Sequence, residues 1–95
     1  MDKTPRELAE QNLTLADEYG KIAERLADLV GLKAEWWKSF REDYKSDASA
    51  ERSWDLTKEG QEMTLLKMKL KSKEKRMSAN KTMIRVAENE SYNQY

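Results

Sequence analysis

Cysteine and histidine are both absent from this chain of 95 residues. Without cysteine the chain can form no disulfide bond and has no thiol nucleophile. Without either residue it lacks the usual zinc ligands, and without histidine it lacks the commonest general base at neutral pH. These absences exclude several common kinds of catalytic site and direct attention to binding.

Proline and glycine are also scarce, with one proline and three glycines, and there is no long hydrophobic run. The most apolar stretch, Leu26–Leu32, is short and is interrupted by Asp28 and Gly31, so we expect no membrane span. The segment Met1–Glu7 has no apolar region of the kind found in signal peptides. We therefore expect a cytoplasmic protein that makes no membrane contact.

The eighteen basic and eighteen acidic residues cancel, so the chain has no net charge although 38% of its residues are charged. High charge without a net excess is typical of exposed helices and coiled coils with many ion pairs. No phosphate-binding loop, glycine-rich nucleotide motif, nucleophilic serine motif or metal-spaced ligand set occurs. We therefore predict that the protein is not an enzyme and has no cofactor, no metal site and no small-molecule substrate.

The first helix has a clear start signal. Thr4 is a suitable N-cap, Pro5 suits the first helical position, and Glu7 completes a capping box. From there apolar residues recur at alternating steps of three and four residues, as they do in a coiled-coil seam. Because this periodicity continues through two glycines, we predict one helix over residues 5–42. A break at Gly31 is the alternative.

The polar residues 43–47 predict a turn, within which Ser46 or Asp47 caps the next helix. Apolar periodicity then predicts a second helix over residues 48–88. Residues 89–95 are polar and are predicted to form a frayed tail. The predicted fold is therefore all-α, a single domain of two long helices.

The two predicted helices match when the chain folds back on itself. If facing residues have numbers that sum to about 92, apolar seam positions meet apolar ones and polar interruptions meet polar ones. The matched pairs include Trp36 with Leu56, Asn12 with Asn80, and Lys33 with Glu59. Matched polar layers fix the register of coiled coils. The sequence therefore predicts a long antiparallel, coiled-coil-like helical hairpin.

The first helix carries a second stripe of mostly small residues beside the seam: Ala16, Gly20, Ala23, Ala27, Val30, Ala34 and Trp37. A single hairpin has one internal interface, so a second apolar stripe indicates a second partner. We predict a homodimer that forms a four-helix bundle. The alternative is a groove for another protein, and the two can hold together.

A basic run lies in the second predicted helix: Lys67, Lys69, Lys71, Lys73, Lys75 and Arg76. One interpretation is ion pairing with the mainly acidic first helix, and the other is weak contact with the phosphate backbone of nucleic acid. Because lysines at every second residue advance about 200° each, they wind around a helix. No aromatic residues interleave with them for base stacking. Sequence-specific recognition is therefore not expected.

Aromatic residues concentrate near the predicted turn. Trp37 and Trp54 lie off the seam, and we expect both to be partly exposed, with Tyr44 close by. Because large exposed aromatic side chains often anchor protein interfaces, we predict that Trp37, Trp54 and Tyr44 bind a partner protein. The alternative is that these aromatics close one end of the dimer.

Three segments, Asn12–Tyr19, Ser46–Trp54 and Lys73–Asn80, resemble small helical proteins from the early region of temperate phages and prophages of Gram-positive bacteria. The resemblance covers most of the chain. It implies an accessory role beside replication and recombination functions in the host-cell cytoplasm, and it assigns no catalytic or binding residues. A related expectation is an inhibitor of a host defence system, because many of those are also small, charged and poor in cysteine.

Together these features predict a non-enzymatic phage accessory or adaptor protein that acts in DNA replication or recombination through protein–protein interaction. Weak, non-specific nucleic-acid contact would be secondary. The first alternative is an inhibitor that sequesters a host defence protein, and the second is a purely structural dimerisation module.

Overall fold

The computed structural model describes residues 3–93, with side chains described as far as Glu90. Within this range it contains three α-helices and no β-strand: α1 spans Pro5–Glu42, α2 spans Asp47–Leu56 and α3 spans Lys58–Asn93. The protein is therefore all-α, as predicted. None of the three described helices is long and apolar enough to cross a membrane.

Helix α1 begins at the predicted cap. The backbone N–H of Glu7 donates to Thr4 Oγ1 at 3.2 Å, and the Thr4 hydroxyl donates to Glu7 Oε1 at 3.2 Å. The first of these bonds satisfies one of the backbone donors that every helix start leaves without a partner. The helix continues through Gly20 and Gly31 and ends at Glu42, so the alternative of a break at Gly31 was wrong.

A short turn of residues 43–46 joins α1 to α2. Ser46 is the N-cap of α2, and its Oγ accepts a hydrogen bond from the Ser49 backbone N–H at 3.1 Å. Arg41, in the last turn of α1, donates to the Tyr44 carbonyl and to Asp47 Oδ1, both at 2.6 Å. The Arg41 guanidinium therefore links the end of α1 to the start of α2.

The prediction of one helix over residues 48–88 was wrong, because Thr57 interrupts it and separates α2 from α3. Thr57 caps both helices. Its backbone N–H and its hydroxyl donate to the Trp54 carbonyl at 2.9 and 2.6 Å, and its Oγ1 accepts from the Gly60 N–H at 3.0 Å. Glycine is required at position 60, because a Cβ atom there would overlap the Trp54 carbonyl group.

Helix α3 extends further than predicted. Residues 89–93, which were predicted to be frayed, are helical, and α3 ends at Asn93. This stretch contains no glycine or proline, so it carries no strong stop signal. Residues 94–95 of the predicted tail lie outside the described residues.

The chain divides into two compact units. The terminal unit comprises Met1–Lys21 and Leu70–Tyr95, and the central unit comprises Ile22–Lys69. The terminal unit therefore contains the first part of α1 and the last part of α3. The central unit contains the remainder of both helices together with α2.

The terminal unit has a small core in which polar groups take part. Three of its buried residues are Leu8, Leu15 and Asn80. The Asn80 amide donates to Asn12 Oδ1 and to Gln11 Oε1, both at 2.9 Å, and the Asn12 amide donates to the Met77 carbonyl at 3.3 Å. The predicted pairing of Asn12 with Asn80 is therefore confirmed. Buried polar groups stabilise a fold only when they are satisfied in this way.

The central unit has an apolar core to which all three helices contribute. Its buried residues include Leu29, Trp54, Met63 and Leu66, and partly buried Ile22, Leu26, Trp37 and Phe40 pack against them. The predicted seam pair of Trp36 and Leu56 was wrong, since these side chains are 48% and 76% exposed. Because α2 ends just before Thr57, Trp54 enters the core in place of Leu56, and Trp37 packs there in place of Trp36.

Candidate interaction surfaces

The aromatic residues predicted to bind a partner form an internal cluster in the central unit. Phe40 lies at its middle, with its ring centroid 6.0 Å from that of Trp37, 5.0 Å from Tyr44 and 5.5 Å from Trp54. Trp54 is only 3% exposed, so the expectation that it would be partly exposed was wrong. Trp37 and Tyr44 are half-buried, and their contact with a partner stays a prediction.

Lys33 lies within this cluster and links α1 to α2. Its ammonium is 5.0 Å from the Trp37 ring centroid and 5.7 Å from the Trp54 ring centroid, within cation–π range. The same ammonium donates to Glu51 Oε2 at 2.8 Å. The predicted pairing of Lys33 with Glu59 was wrong. Helix α2 packs against this part of α1, and Lys33 therefore pairs with Glu51.

Arg25 of α1 and Glu62 of α3 form a two-pronged ion pair in the central unit. The Arg25 Nε and Nη2 atoms donate to the two Glu62 carboxylate oxygens at 2.7 and 2.9 Å. The hydrogen bond from Arg25 lowers the pKa of Glu62, and the same bond raises the pKa of Arg25. A bidentate pair of this kind, with two parallel hydrogen bonds, adds geometric specificity to the contact between two helices.

An exposed apolar row lies on the outer side of α3 in the central unit. Leu65 is 50% exposed and Met68 is 63% exposed, and residues three positions apart share one face of a helix. Gln61, one turn earlier on this face, donates to the carbonyl of Leu56, whose side chain is also exposed. Apolar side chains grouped in this way often indicate an interaction site.

A second row lies on the outer side of α1 in the same unit. Ala27, Val30 and Ala34 are exposed, and their spacing places them on one face of the helix. Gly31 lies beside them, and a Cβ atom built at Gly31 would meet no other atom within 4 Å. Because glycine costs about 1 kcal/mol in a helix interior relative to alanine, packing within the chain does not explain its presence.

No protein-family model, curated protein or solved structure matches the chain. The functional interpretation therefore rests on the residues themselves, on the exposed apolar rows and on the distribution of charge.

The residues of the predicted basic run differ in their surroundings. Lys73 is bound within the terminal unit, because its ammonium contacts Glu18 Oε2 at 2.6 Å and its side chain is only 18% exposed. The hydrogen bond from Lys73 lowers the pKa of Glu18, and the nearby charge of Arg76 lowers it further. The other members are exposed, in the central unit at Lys67 and Lys69 and in the terminal unit at Lys71, Lys75 and Arg76.

Glu74, which lies inside the basic run, has a partner on α1. The Tyr19 hydroxyl donates to Glu74 Oε1 at 2.7 Å. This hydrogen bond is the main reason that the pKa of Tyr19 is raised, because a phenol that donates to a carboxylate resists losing its proton. The contact draws the negative charge of Glu74 toward α1.

The described part of the chain offers little to a metal ion or a small ligand. Among its residues, no group of three or more carboxylates comes together in a way that would hold a metal. The terminal unit has a shallow groove of about 290 Å³, lined mainly by apolar side chains, with Lys3 and Glu90 as its charged residues. Small-molecule sites usually add several converging polar groups to such an apolar lining.

Sequence reasoning missed Thr57, which separates α2 from α3, and Gly60, whose N–H the Thr57 side chain binds. A signal was present, since Thr57 precedes Gly60 by the three residues that separate an N-cap from the N–H it binds. The apolar periodicity continues across this point and concealed the cap. Recognising it would have ended the helix at Leu56 and directed Trp54 toward the core.

Proposed function

We propose that this protein is a non-enzymatic adaptor that associates with a second copy of itself through the central unit. The observation that carries the proposal is the exposed apolar row of α3, formed by Leu65 and Met68. The row of α1 around Val30 and Gly31 supplies the opposing surface. In this arrangement α1 of each copy packs against α3 of the other, so that two predicted helical hairpins form a four-helix bundle.

The charges beside the two rows are complementary. The bases Arg25, Lys33 and Arg41 of α1 are engaged with acids of their own unit. Near the apolar row of α1, the exposed acids are Glu24, Asp28 and Glu35, for which the structure describes no ion pair. Beside Leu65 on α3, the exposed charges are Lys58 and Lys69, likewise without a described ion pair. In a dimer with a two-fold axis, the acidic edge of α1 in each copy faces the basic edge of α3 in the other copy.

An antiparallel hairpin is supported by the order of contacts within the terminal unit. Asn12 of α1 pairs with Asn80 of α3, and Glu18, further along α1, pairs with Lys73, earlier along α3. An accessory role in phage DNA replication or recombination is proposed on the resemblance of three segments to phage proteins. An adaptor serves such a process by holding its partners together and needs no reactive side chain.

The mass of the full chain in solution tests the proposal. Sedimentation equilibrium is expected to give twice the chain mass of 11.2 kDa. The double substitution Leu65→Glu, Met68→Glu places charges in the apolar row and should produce a monomer with unchanged helix content. The matched control Leu13→Glu, Val86→Glu alters exposed apolar residues of the terminal unit and should remain a dimer. A monomeric unmodified chain, or a dimer that survives the α3 substitutions, would contradict the proposal.

Gly31→Ala separates a contact between copies from an effect on the helix alone. Alanine favours the helix by about 1 kcal/mol and meets nothing inside the chain, so it should stabilise an isolated monomer. If α1 packs closely against a second copy, the added methyl group obstructs that approach and the association constant falls. Thr14→Ala, at an exposed position of α1 in the terminal unit, should leave association unchanged. Stabilisation by Gly31→Ala without weaker association would argue against the α1 row.

Charge reversal provides a further check on the arrangement. Lys69→Glu should weaken association by placing like charges beside each other, and Asp28→Lys in the same chain should restore it. Restoration by the combined variant identifies α1 and α3 as opposing surfaces. If the combined variant is weaker than either single variant, the two edges do not meet.

A further inference from the structure

Helix α3 in the terminal unit carries exposed basic side chains that take part in none of the contacts described for residues 3–90. Lys71 and Lys75 are four residues apart, as are Lys81 and Arg85, and all four are exposed. Ser78, between the two pairs, and Thr82, within the second pair, are exposed as well. We call Lys71, Lys75, Lys81 and Arg85 the basic ridge. Two of them, Lys81 and Arg85, lie beyond Arg76, the last residue that we predicted to contact nucleic acid.

Ion pairing with the acidic part of α1 does not account for the ridge. In the described contacts of the terminal unit, Lys73 is the lysine of α3 that reaches an acid on α1, and it faces away from the ridge. Arg76 lies toward Glu18 as well, since its charge lowers the pKa of that carboxyl. The Glu74 carboxylate is bonded to Tyr19. The terminal unit therefore separates bases that stabilise the fold from bases that face solvent.

The shape of the ridge fits an extended polyanion. Fourteen residues separate Lys71 from Arg85, which is about 21 Å along a helix. Because i and i+4 side chains lie on one face, Lys71 and Lys75 form one short row and Lys81 and Arg85 another, and together the two rows can contact several successive phosphates. The hydroxyl group of Ser78 is suited to phosphate contact as well, whereas the Thr82 hydroxyl donates to the Ser78 carbonyl at 3.2 Å.

Two features favour duplex nucleic acid over other polyanions. No aromatic residue occurs between Leu70 and Glu90, so the ridge has no platform on which to stack unpaired bases. The exposed residue beside the bases at position 78 is a serine, whereas a helix that lies on a membrane surface needs an apolar face to insert. Contacts from basic side chains to phosphates position a protein on a duplex and carry no sequence information directly.

We propose that the basic ridge binds the phosphate backbone of duplex nucleic acid without reading its sequence. The inference lies entirely within the terminal unit and does not depend on self-association through the central unit. In a dimer, two ridges on one particle would raise the apparent affinity for a long duplex. The ridge would then supply the contact through which an adaptor stays near its nucleic acid.

Fluorescence anisotropy of a labelled duplex of mixed sequence, titrated with the full chain, tests the ridge. Four phosphate contacts predict that the logarithm of the binding constant falls with the logarithm of salt concentration with a slope of about −3.6. Between about 50 and about 200 mM salt, this slope corresponds to a loss of about 150-fold. Absence of binding at the lower salt concentration would overturn the proposal.

Two variants that each remove three positive charges distinguish binding through the basic ridge from an effect of overall charge. Lys71→Gln, Lys75→Gln, Arg85→Gln removes three ridge charges and should reduce the slope to about −0.9, with at least a tenfold loss of affinity at low salt. The control Lys38→Gln, Lys45→Gln, Arg52→Gln removes the same residue types from exposed positions of the central unit and should retain affinity within about twofold. Equal losses in both variants would overturn the proposal.

Two further probes test the class of polyanion. A single strand of the same length should bind more weakly than the duplex, and vesicles of anionic lipid should not bind at all. Tighter binding to the single strand, or binding to the vesicles, would contradict duplex recognition. The solution mass of the ridge variant should equal that of the unmodified chain, so loss of nucleic-acid binding can be told apart from loss of self-association.

Discussion

The two units of this protein solve the same packing problem in different ways. In the central unit three helices surround an apolar core that includes Leu29 and Trp54, and charged contacts lie around it. In the terminal unit parts of α1 and α3 pair without a third helix, and the buried residues include Asn80 as well as leucines. The difference follows from the number of helices. Two helices bury only the narrow stripe between them, so polar side chains supply part of the contact, whereas three can enclose apolar residues on several sides.

This comparison predicts where the fold tolerates change. A site in the central core is surrounded by other helices, and a cavity there cannot be filled by solvent or by local collapse. A site between the two segments of the terminal unit is close to solvent on both flanks. The four predictions below run from the largest expected effect to the smallest.

Gly60→Ala should have the largest effect, because its Cβ would overlap the Trp54 carbonyl that joins α2 to α3. We expect a loss of about 3 kcal/mol or more in the free energy of unfolding, measured by urea denaturation. Gly20→Ala in the terminal unit is the matched control, because the added methyl meets nothing and should stabilise the chain by about 0.5 kcal/mol. Similar changes in the free energy of unfolding for the two substitutions would contradict the requirement for glycine at position 60.

Leu29→Ala and Leu15→Ala compare the two cores directly, since these side chains are 1% and 3% exposed. Leu29→Ala should cost about 3 kcal/mol, and Leu15→Ala about 2 kcal/mol, because the cost of a leucine deletion depends on how far the site can collapse. Chemical denaturation of both variants measures the difference. A larger loss of unfolding free energy in Leu15→Ala than in Leu29→Ala would contradict the expectation that the central core tolerates deletion less well.

Asn80→Ala tests the polar layer of the terminal unit. Removing its amide leaves Asn12 Oδ1 and Gln11 Oε1 without their donor, at an expected cost of about 1–3 kcal/mol. Hydrogen exchange should accelerate in the terminal unit and remain unchanged around Trp54 in the central unit. Uniform acceleration across the chain would mean that the two units open together.

Acid should weaken one ion pair in each unit, and we expect this change to have the smallest effect on stability. The pKa values of Glu18 and Glu62 lie below the ordinary value of 4.5, because Lys73 and Arg25 hydrogen-bond to their carboxylates. Groups whose pKa is lowered by folding contribute stability that is present above the ordinary pKa and is lost as the pH falls through the lowered value. NMR titration of the two carboxyl groups checks this.

Lys73→Gln sharpens the acid test, because it removes the partner of Glu18 and leaves the partner of Glu62 in place. The pKa of Glu18 should rise toward its ordinary value while that of Glu62 remains lowered. A shift of both carboxyl groups, or of neither, would show that the pairs do not act separately.

Local signals and periodicity predicted part of this fold. The cap at Thr4 and the apolar spacing that follows predicted α1, and the matching polar positions predicted the contact of Asn12 with Asn80. Both depend on information that is close in sequence or repeats regularly. The break at Thr57 was not predicted, because Gly60 is needed for a close approach to the Trp54 carbonyl that appears only once α2 and α3 are packed.

The basic run illustrates a second limit. Composition identifies the cluster of lysines, but the sequence does not reveal which of them lie within reach of an acid on another helix. That depends on the rotation of α3 about its own axis, which directs Lys73 to Glu18 and leaves Lys71 and Lys75 outside.

The distribution of tryptophan has an optical consequence. Trp36, Trp37 and Trp54 all belong to the central unit, so tryptophan emission reports on that unit alone, whereas the far-ultraviolet dichroism of the helices sums both. If the denaturation curves measured by the two signals coincide, the chain unfolds in a single cooperative transition. If the two curves differ, they show which unit unfolds first. The chain therefore carries a built-in label for its central unit, so association through that unit can be followed without an attached dye on the protein.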